Sequence, residues 1–201
     1  MIKGHGGNFR ELAGKLGCSE TEIIDMSSNL NPLGPPAGLI SHLKESLHHI
    51  VTLPEVDSDK IRGFLAQEHG LTQDNVLSGN GTTQFIYAAP QALGIQKALI
   101  LGPCYSDYAD ACRMHGVSFD FFFSTPENKF KPDFDLFREK LAYFKYDTVF
   151  ICNPDNPTGH LIQPEILRDL SLEFPKVRFI IDESYLPFVR TSENRSMTEF
   201  G

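Results

Sequence analysis

The chain has 201 residues, 41% of them hydrophobic and 22% charged, with a formal net charge of −8. That is globular composition with length for one sizeable core, and it lacks the basic tract a nucleic-acid surface needs. No apolar run reaches membrane-spanning length, and the amino-terminal MIKGHGGNFREL has no signal-peptide core. The four cysteines, Cys18, Cys104, Cys112 and Cys152, lack the CxxC spacing of a zinc site. The expectation is a cytoplasmic protein with free thiols, no metal, and neither nucleic acid nor membrane as partner.

Residues 1–36 are expected to form an arm, with a short helix from Asn8 to Leu16 before the irregular SSNLNPLGPP. Leu39, Ile40, Leu43 and Leu47 have helical spacing and predict a helix over 37–49. A second helix is predicted over Asp59 to His69, ended by Gly70. Strands and helices then alternate. NVLSG, KALILG, VSFDFFF, DTVFIC and VRFIIDES are predicted strands; TTQFIYAAPQAL, SDYADACRMHG, PDFDLFREKLAYF and QPEILRDLSLEF are predicted helices. Gly116 should close the second of these, Pro132 should lie in the first turn of the third, and Cys104 and Cys112 should share one helix face as packing residues. The fold class expected is α/β, a mostly parallel sheet covered by helices on both faces, formed by residues 37–201 behind the amino-terminal arm. Ligands of such sheets bind outside the carboxyl ends of the strands.

Four strand ends carry unusual residues. SGNGTTQ brings Gly79, Asn80, Gly81, Thr82 and Thr83 to the start of a helix, where free N–H groups and the positive dipole end favour a phosphate; a plain capped turn has the same composition. GPCYSDY places Tyr105 above the sheet edge, as a stacking plate for a flat ligand or as an aromatic covering the core rim. In CNPDNPTG, Asn153 and Asn156 are held by Pro154 and Pro157, so an amide can meet a ligand oxygen with little ordering cost. In IIDESY, Asp182 follows an apolar run and needs a partner: a protonated ring nitrogen, an arginine, or a helix cap. Together these describe a pocket for a flat, phosphorylated, basic heteroaromatic ring, a description that pyridoxal 5′-phosphate meets.

NPDNPTG, DESY, SGNGTTQ and GPCYSDY resemble the large domain of the fold-type-I pyridoxal-phosphate aminotransferases, in the branch of histidinol-phosphate aminotransferase and threonine-phosphate decarboxylase. HGGN followed by DMSSNLNPLGPP is similar to the decarboxylase of cobalamin biosynthesis. The resemblance implies that Asn156 and Tyr185 bond the cofactor's ring hydroxyl, Asp182 pairs with its pyridine nitrogen and Tyr105 stacks on it. Asn80, Gly81 and Thr82 would hold the phosphate. His5, Gly6 and Asn29, with Asn156, would contact a small phosphorylated amino-acid substrate, and the full-length form would be a homodimer.

Two departures accompany the resemblance. The family's Schiff-base lysine falls about thirty residues beyond the carboxylate strand, whereas the last lysine here is Lys176; Ser196 and Thr198 in RSMTEFG echo the family's Ser-x-Thr-Lys segment only by chance. The chain therefore resembles an incomplete large domain, expected to be inactive alone. Leu53 stands where relatives place a tyrosine that reaches a neighbouring subunit's cofactor. The competing expectations are a transaminase, a non-catalytic remnant of the fold, and a nicotinamide-binding domain. The last is disfavoured because GNGTTQ lacks the third glycine of GxGxxG.

Overall fold

The computed structural model describes residues 7–24, 26, 29, 31, 33–190 and 195–200. The chain divides into two compact units, residues 1–57 and 58–201.

The first unit is helical and thinly packed. Helix α1 (Phe9–Leu16) brings Phe9, Leu12, Ala13 and Leu16 to one side and ends at Gly17, whose φ of 68° supplies the left-handed residue that stops the helix. A 3₁₀ turn, Glu20–Glu22, is closed by a reciprocal capping box between Ser19 and Glu22. Helix α2 (Leu39–Ser46) runs into a second 3₁₀ turn, Leu47–Val51, so the predicted helix over 37–49 is shorter and tightens at its end. Ile50, Val51, Leu53 and Val56 follow as an exposed apolar stretch.

The second unit begins with α3 (Asp59–His69), stopped by Gly70 at φ 65° as predicted. The strand predicted over NVLSG does not form. Residues 73–75 are a 3₁₀ turn, and Arg62 of α3 donates from Nε to the Val76 carbonyl at 2.8 Å and from Nη2 to the Gln73 carbonyl at 2.9 Å. An arginine side chain thus takes a carbonyl, that of Val76, which a sheet ladder would have used, and pins the preceding turn at Gln73.

From here alternation prevails: α4 (Gly81–Ala92), β1 (Lys97–Gly102), α5 (Asp107–Met114), β2 (Ser118–Phe123), α6 (Phe134–Phe144), β3 (Thr148–Cys152), α7 (Pro164–Glu173) and β4 (Arg178–Asp182). Two boundaries differ from expectation. Pro132 precedes the cap Asp133 instead of entering α6, because Asp133 Oδ1 accepts the Asp135 and Leu136 amides. Cys104 lies before α5 and shares no helix face with Cys112.

The four strands are all parallel, in the order β2-β1-β3-β4, with Cys152 opposite Asp182 in the last pairing. The apolar runs explain why. β1 and β3 are buried along almost their whole length, as interior strands covered on both faces must be. One face packs Ala98, Ile100, Phe150 and Cys152 against Ile86 of α4 and Tyr108, Ala111 and Cys112 of α5. The other packs Leu99, Leu101, Val149 and Ile151 against Phe137 and Leu141 of α6 and Leu167 and Leu170 of α7. The chain leaves β1 toward one face and β3 toward the other, so the strand order reverses between them. That is the switch point where doubly wound sheets open a crevice.

Phe150 stacks on Tyr108 at the centre of the first face. Phe150→Ala is expected to cost about 3–5 kcal/mol in urea denaturation, whereas Phe188→Ala, at a side chain 72% exposed, should stay within about 0.5 kcal/mol.

Candidate ligand site at the strand ends

Asp182 closes β4 on the face covered by α4 and α5, since Ile180, two residues earlier, packs into that core. Its carboxylate is 9% exposed and surrounded by donors. Tyr108 of α5 donates its phenol to Oδ2 at 2.8 Å. The Ser184 amide and hydroxyl donate to Oδ1 at 3.0 and 2.5 Å. With the Ser184 hydrogen committed to Asp182, the 2.8 Å contact between Thr82 Oγ1 and Ser184 Oγ has Thr82 as donor. A continuous path therefore runs from the first turn of α4 to the buried carboxylate. The partners are hydroxyls and an amide, and the arginine considered as an alternative is absent from the described contacts.

The amino end of α4 is built by two glycines with different duties. Gly81 adopts φ 74°, a conformation side chains resist, while a Cβ on Gly79 would lie 2.6 Å from the Phe85 ring. The twelve-residue helix has no acidic residue in its first turn, so its dipole end is unneutralised. The Asn80 amide donates to Gln84 Oε1 at 2.5 Å and the Gly81 amide to the Gly79 carbonyl at 3.1 Å. A side-chain oxygen of the chain itself thus sits where an incoming oxygen would be received.

Tyr105 follows β1, its ring edge-on to Tyr108 with centroids 6.1 Å apart. Burial is the main cause that raises its phenol pKa, so it stays neutral. The two Asn-Pro units prove unequal. Asn153 is 1% exposed, and its amide is consumed by Ile162: Nδ2 donates to the carbonyl at 3.0 Å and Oδ1 accepts the N–H at 2.7 Å. Asn156 is half-buried, and its Nδ2 approaches the Tyr185 hydroxyl at 3.4 Å. Between them Asp155 accepts both the N–H and the hydroxyl of Thr158, at 3.2 and 2.6 Å, which closes the turn. Only the second amide is available to a ligand.

All seven predicted cofactor residues belong to the second unit: Tyr105, Asn156, Asp182 and Tyr185 at or just beyond the carboxyl ends of β1, β3 and β4, and Asn80, Gly81 and Thr82 at the start of α4, which no strand precedes among the described residues and which the Thr82–Ser184 contact joins to the end of β4. His5 and Gly6 lie outside the described residues. Asn29 is exposed in the first unit, as is Leu53, which is 93% exposed. Tyr108 and Ser184 join the site without having been singled out by the residue pattern. Their signal was the need of a buried carboxylate for donors, which nearby hydroxyls meet as well as a cation does. Two thiols near the site are poor nucleophiles: burial pushes Cys104 up to about 12 and Cys152 up to about 11.

The chain belongs to the family Aminotransferase class I and II, which it matches over residues 21–199. Enzymes of this family depend on pyridoxal phosphate. Among individual relatives, the chain is 30% identical to threonine-phosphate decarboxylase of Salmonella typhimurium over 187 residues, covering 92% of this chain and 51% of the relative. It is 32% identical to the adenosylcobalamin biosynthesis bifunctional protein CobDQ of Leptospira interrogans, covering 92% of this chain and 22% of that protein. Among solved structures, the histidinol-phosphate aminotransferase of Clostridium acetobutylicum superposes with a TM-score of 0.75 at 27% identity, over 89% of this chain and 52% of the other. The chain spans about half the length of the decarboxylase and aminotransferase it matches.

Two measurements follow from this geometry. Asn153→Ala leaves two buried backbone groups of Ile162 without partners and should cost about 2–4 kcal/mol in urea denaturation, against under about 1 kcal/mol for Asn156→Ala. Cys104 and Cys152 should resist a thiol reagent in the native chain below about pH 9 and react on unfolding.

Proposed function

We propose that this chain is the ring-binding portion of a pyridoxal-phosphate-dependent enzyme acting on a small phosphorylated amino acid, with threonine-phosphate decarboxylation as its activity. The observation that carries the reading is the hydrogen-bonded path from Thr82 through Ser184 to Asp182. It joins an anion-favouring helix end to a buried carboxylate, the two charges that a phosphorylated, protonated pyridine requires. The identity to the Salmonella decarboxylase supports the substrate class.

In this reading Asp182 pairs with the ring nitrogen and keeps it protonated, while Asn156 and Tyr185 bond the ring hydroxyl. Tyr105 covers one ring face. The backbone amides of Asn80, Gly81 and Thr82 receive the phosphate once Gln84 Oε1 leaves the Asn80 amide and the Gly79 carbonyl leaves that of Gly81. Asn156 also meets the substrate, and the resemblance alone assigns substrate contacts to His5, Gly6 and Asn29. The bound cofactor supplies an electron sink for the carbanion formed when a substrate bond breaks. The chain's residues bind, orient and hold charge. No lysine follows Lys176, so residues 183–201 provide no amine to hold the cofactor covalently. We read the working form as a cytoplasmic homodimer; the free thiols and the exposed stretch at Ile50, Val51, Leu53 and Val56 support this. Among the described residues no helix is long and apolar enough to cross a membrane.

Transamination is the second reading, favoured by the superposition on histidinol-phosphate aminotransferase. The same residues serve it, and the two differ in which substrate bond is released. A protein containing this chain together with the family's lysine should release carbon dioxide from threonine phosphate without forming a keto acid; keto-acid formation would select transamination. For the 201-residue chain alone, saturable binding of pyridoxal 5′-phosphate is expected, weakened about tenfold or more in Asp182→Ala. Borohydride should fix no stoichiometric adduct at a single lysine. A site-specific adduct with turnover would overturn the assignment of a purely orienting role.

A further inference from the structure

Asp182 has more donors than a carboxylate needs merely to be tolerated in a core. Its two oxygens offer about four lone-pair sites. The amide and hydroxyl of Ser184 fill the two on Oδ1, and the Tyr108 phenol fills one on Oδ2. One acceptor direction remains, on Oδ2, and the position of the Tyr108 hydroxyl decides which one it is.

That hydroxyl is held unusually firmly. The Tyr108 side chain is 1% exposed. Its ring lies nearly parallel to Phe150, with centroids 5.6 Å apart and planes at 19°, and meets the Tyr105 ring edge-on at 82°. Phe150 covers one face and Tyr105 packs close by, so the ring has little room to turn, and the phenol lies beside both Asp182 and the Cys152 thiol. Burial raises its pKa, which keeps the proton on the oxygen and the group a donor. The nearby Cys152 thiol is directed to the Pro154 carbonyl at 3.2 Å and does not donate to Asp182.

On the cofactor reading given above, we propose that Tyr108 is a positioning residue for the ring nitrogen: by occupying one side of Asp182 Oδ2 it leaves a single acceptor direction for one N–H. Tyr108 does not touch the ring through its hydroxyl; it acts through Asp182, and its edge contact with Tyr105 ties the stacking plate to the same anchor. Hydroxyl, carboxylate and plate thus form one preorganised unit spanning α5, β4 and the loop after β1.

The test uses two ligands of the 201-residue chain, pyridoxal 5′-phosphate and its carbocyclic analogue in which C–H replaces the ring nitrogen, measured by equilibrium dialysis. The wild type should prefer the nitrogen ring. Tyr108→Phe keeps the packed ring and deletes the donor; it should cut that preference by about tenfold while leaving affinity for the carbocycle unchanged. In an Asp182→Asn background the same substitution should alter the preference by less than about twofold. Equal loss for both ligands, or an undiminished effect in the Asp182→Asn background, makes Tyr108 a packing residue and overturns the inference while leaving the cofactor reading intact. A wild type that binds neither ligand, or both equally, removes the cofactor reading and this inference with it.

Discussion

A carboxylate at the end of a strand buried between helices must find donors or lose its charge, and the way Asp182 finds them organises the upper end of the second unit. Its partners come from two directions, Ser184 just beyond β4 and Tyr108 from α5 across the face. Meeting both requires α5 to run over β3 at a fixed height, which the Tyr108–Phe150 stack enforces. It also requires β4 to keep its register on β3, with Cys152 opposite Asp182. A slip of one residue would turn the carboxylate to the other face, toward Leu167 and Leu170, where the described side chains are apolar. The charge is therefore a constraint on strand register as much as a feature of a site.

The two Asn-Pro units show how one loop divides structure from recognition. Asn153 acts as a backbone surrogate: with Ile162 it makes the paired N–H and C=O bonds that another strand would have made. This fastens the segment leading into α7 to the end of β3. Asn156, three residues on, stays half-buried beside Tyr185 because Asp155 and Thr158 turn the chain between them. The first amide secures the loop so that the second can be presented.

The strands β1 to β4, the helices between them and the parallel order of the sheet were legible from the residues, because long apolar runs with helical segments between them admit few other arrangements. So were the positions of Tyr105, Asn156 and Asp182 at strand ends, which follow from where each apolar run stops. What escaped the residue pattern depends on contacts distant in sequence. NVLSG has the composition of a short strand, but Arg62, fourteen residues earlier, takes its Val76 carbonyl. The pattern around Asp182 allows a ring nitrogen, an arginine or a helix cap, whereas the fold supplies the neighbouring Ser184 and a phenol seventy-four residues away. The parts in Asn153 and Asn156 could not be separated by composition, since the Ile162 contact that distinguishes them appears only when the loop is closed. The comparisons establish the family, and the residue roles rest on the arrangement of side chains at the strand ends.

The glutamine at the mouth of α4 has a consequence for how that end discriminates among visitors. Because Gln84 Oε1 already satisfies the Asn80 amide, a newcomer gains nothing from simple hydrogen bonding; it exchanges one acceptor for another. What it can add is full negative charge, which a neutral amide lacks and which an unneutralised dipole end rewards. A neutral acceptor would break even at best against the tethered side chain, whose local concentration it cannot match. On the cofactor reading, the glutamine would set a threshold at the Asn80 amide that a charged acceptor crosses more readily than a neutral one.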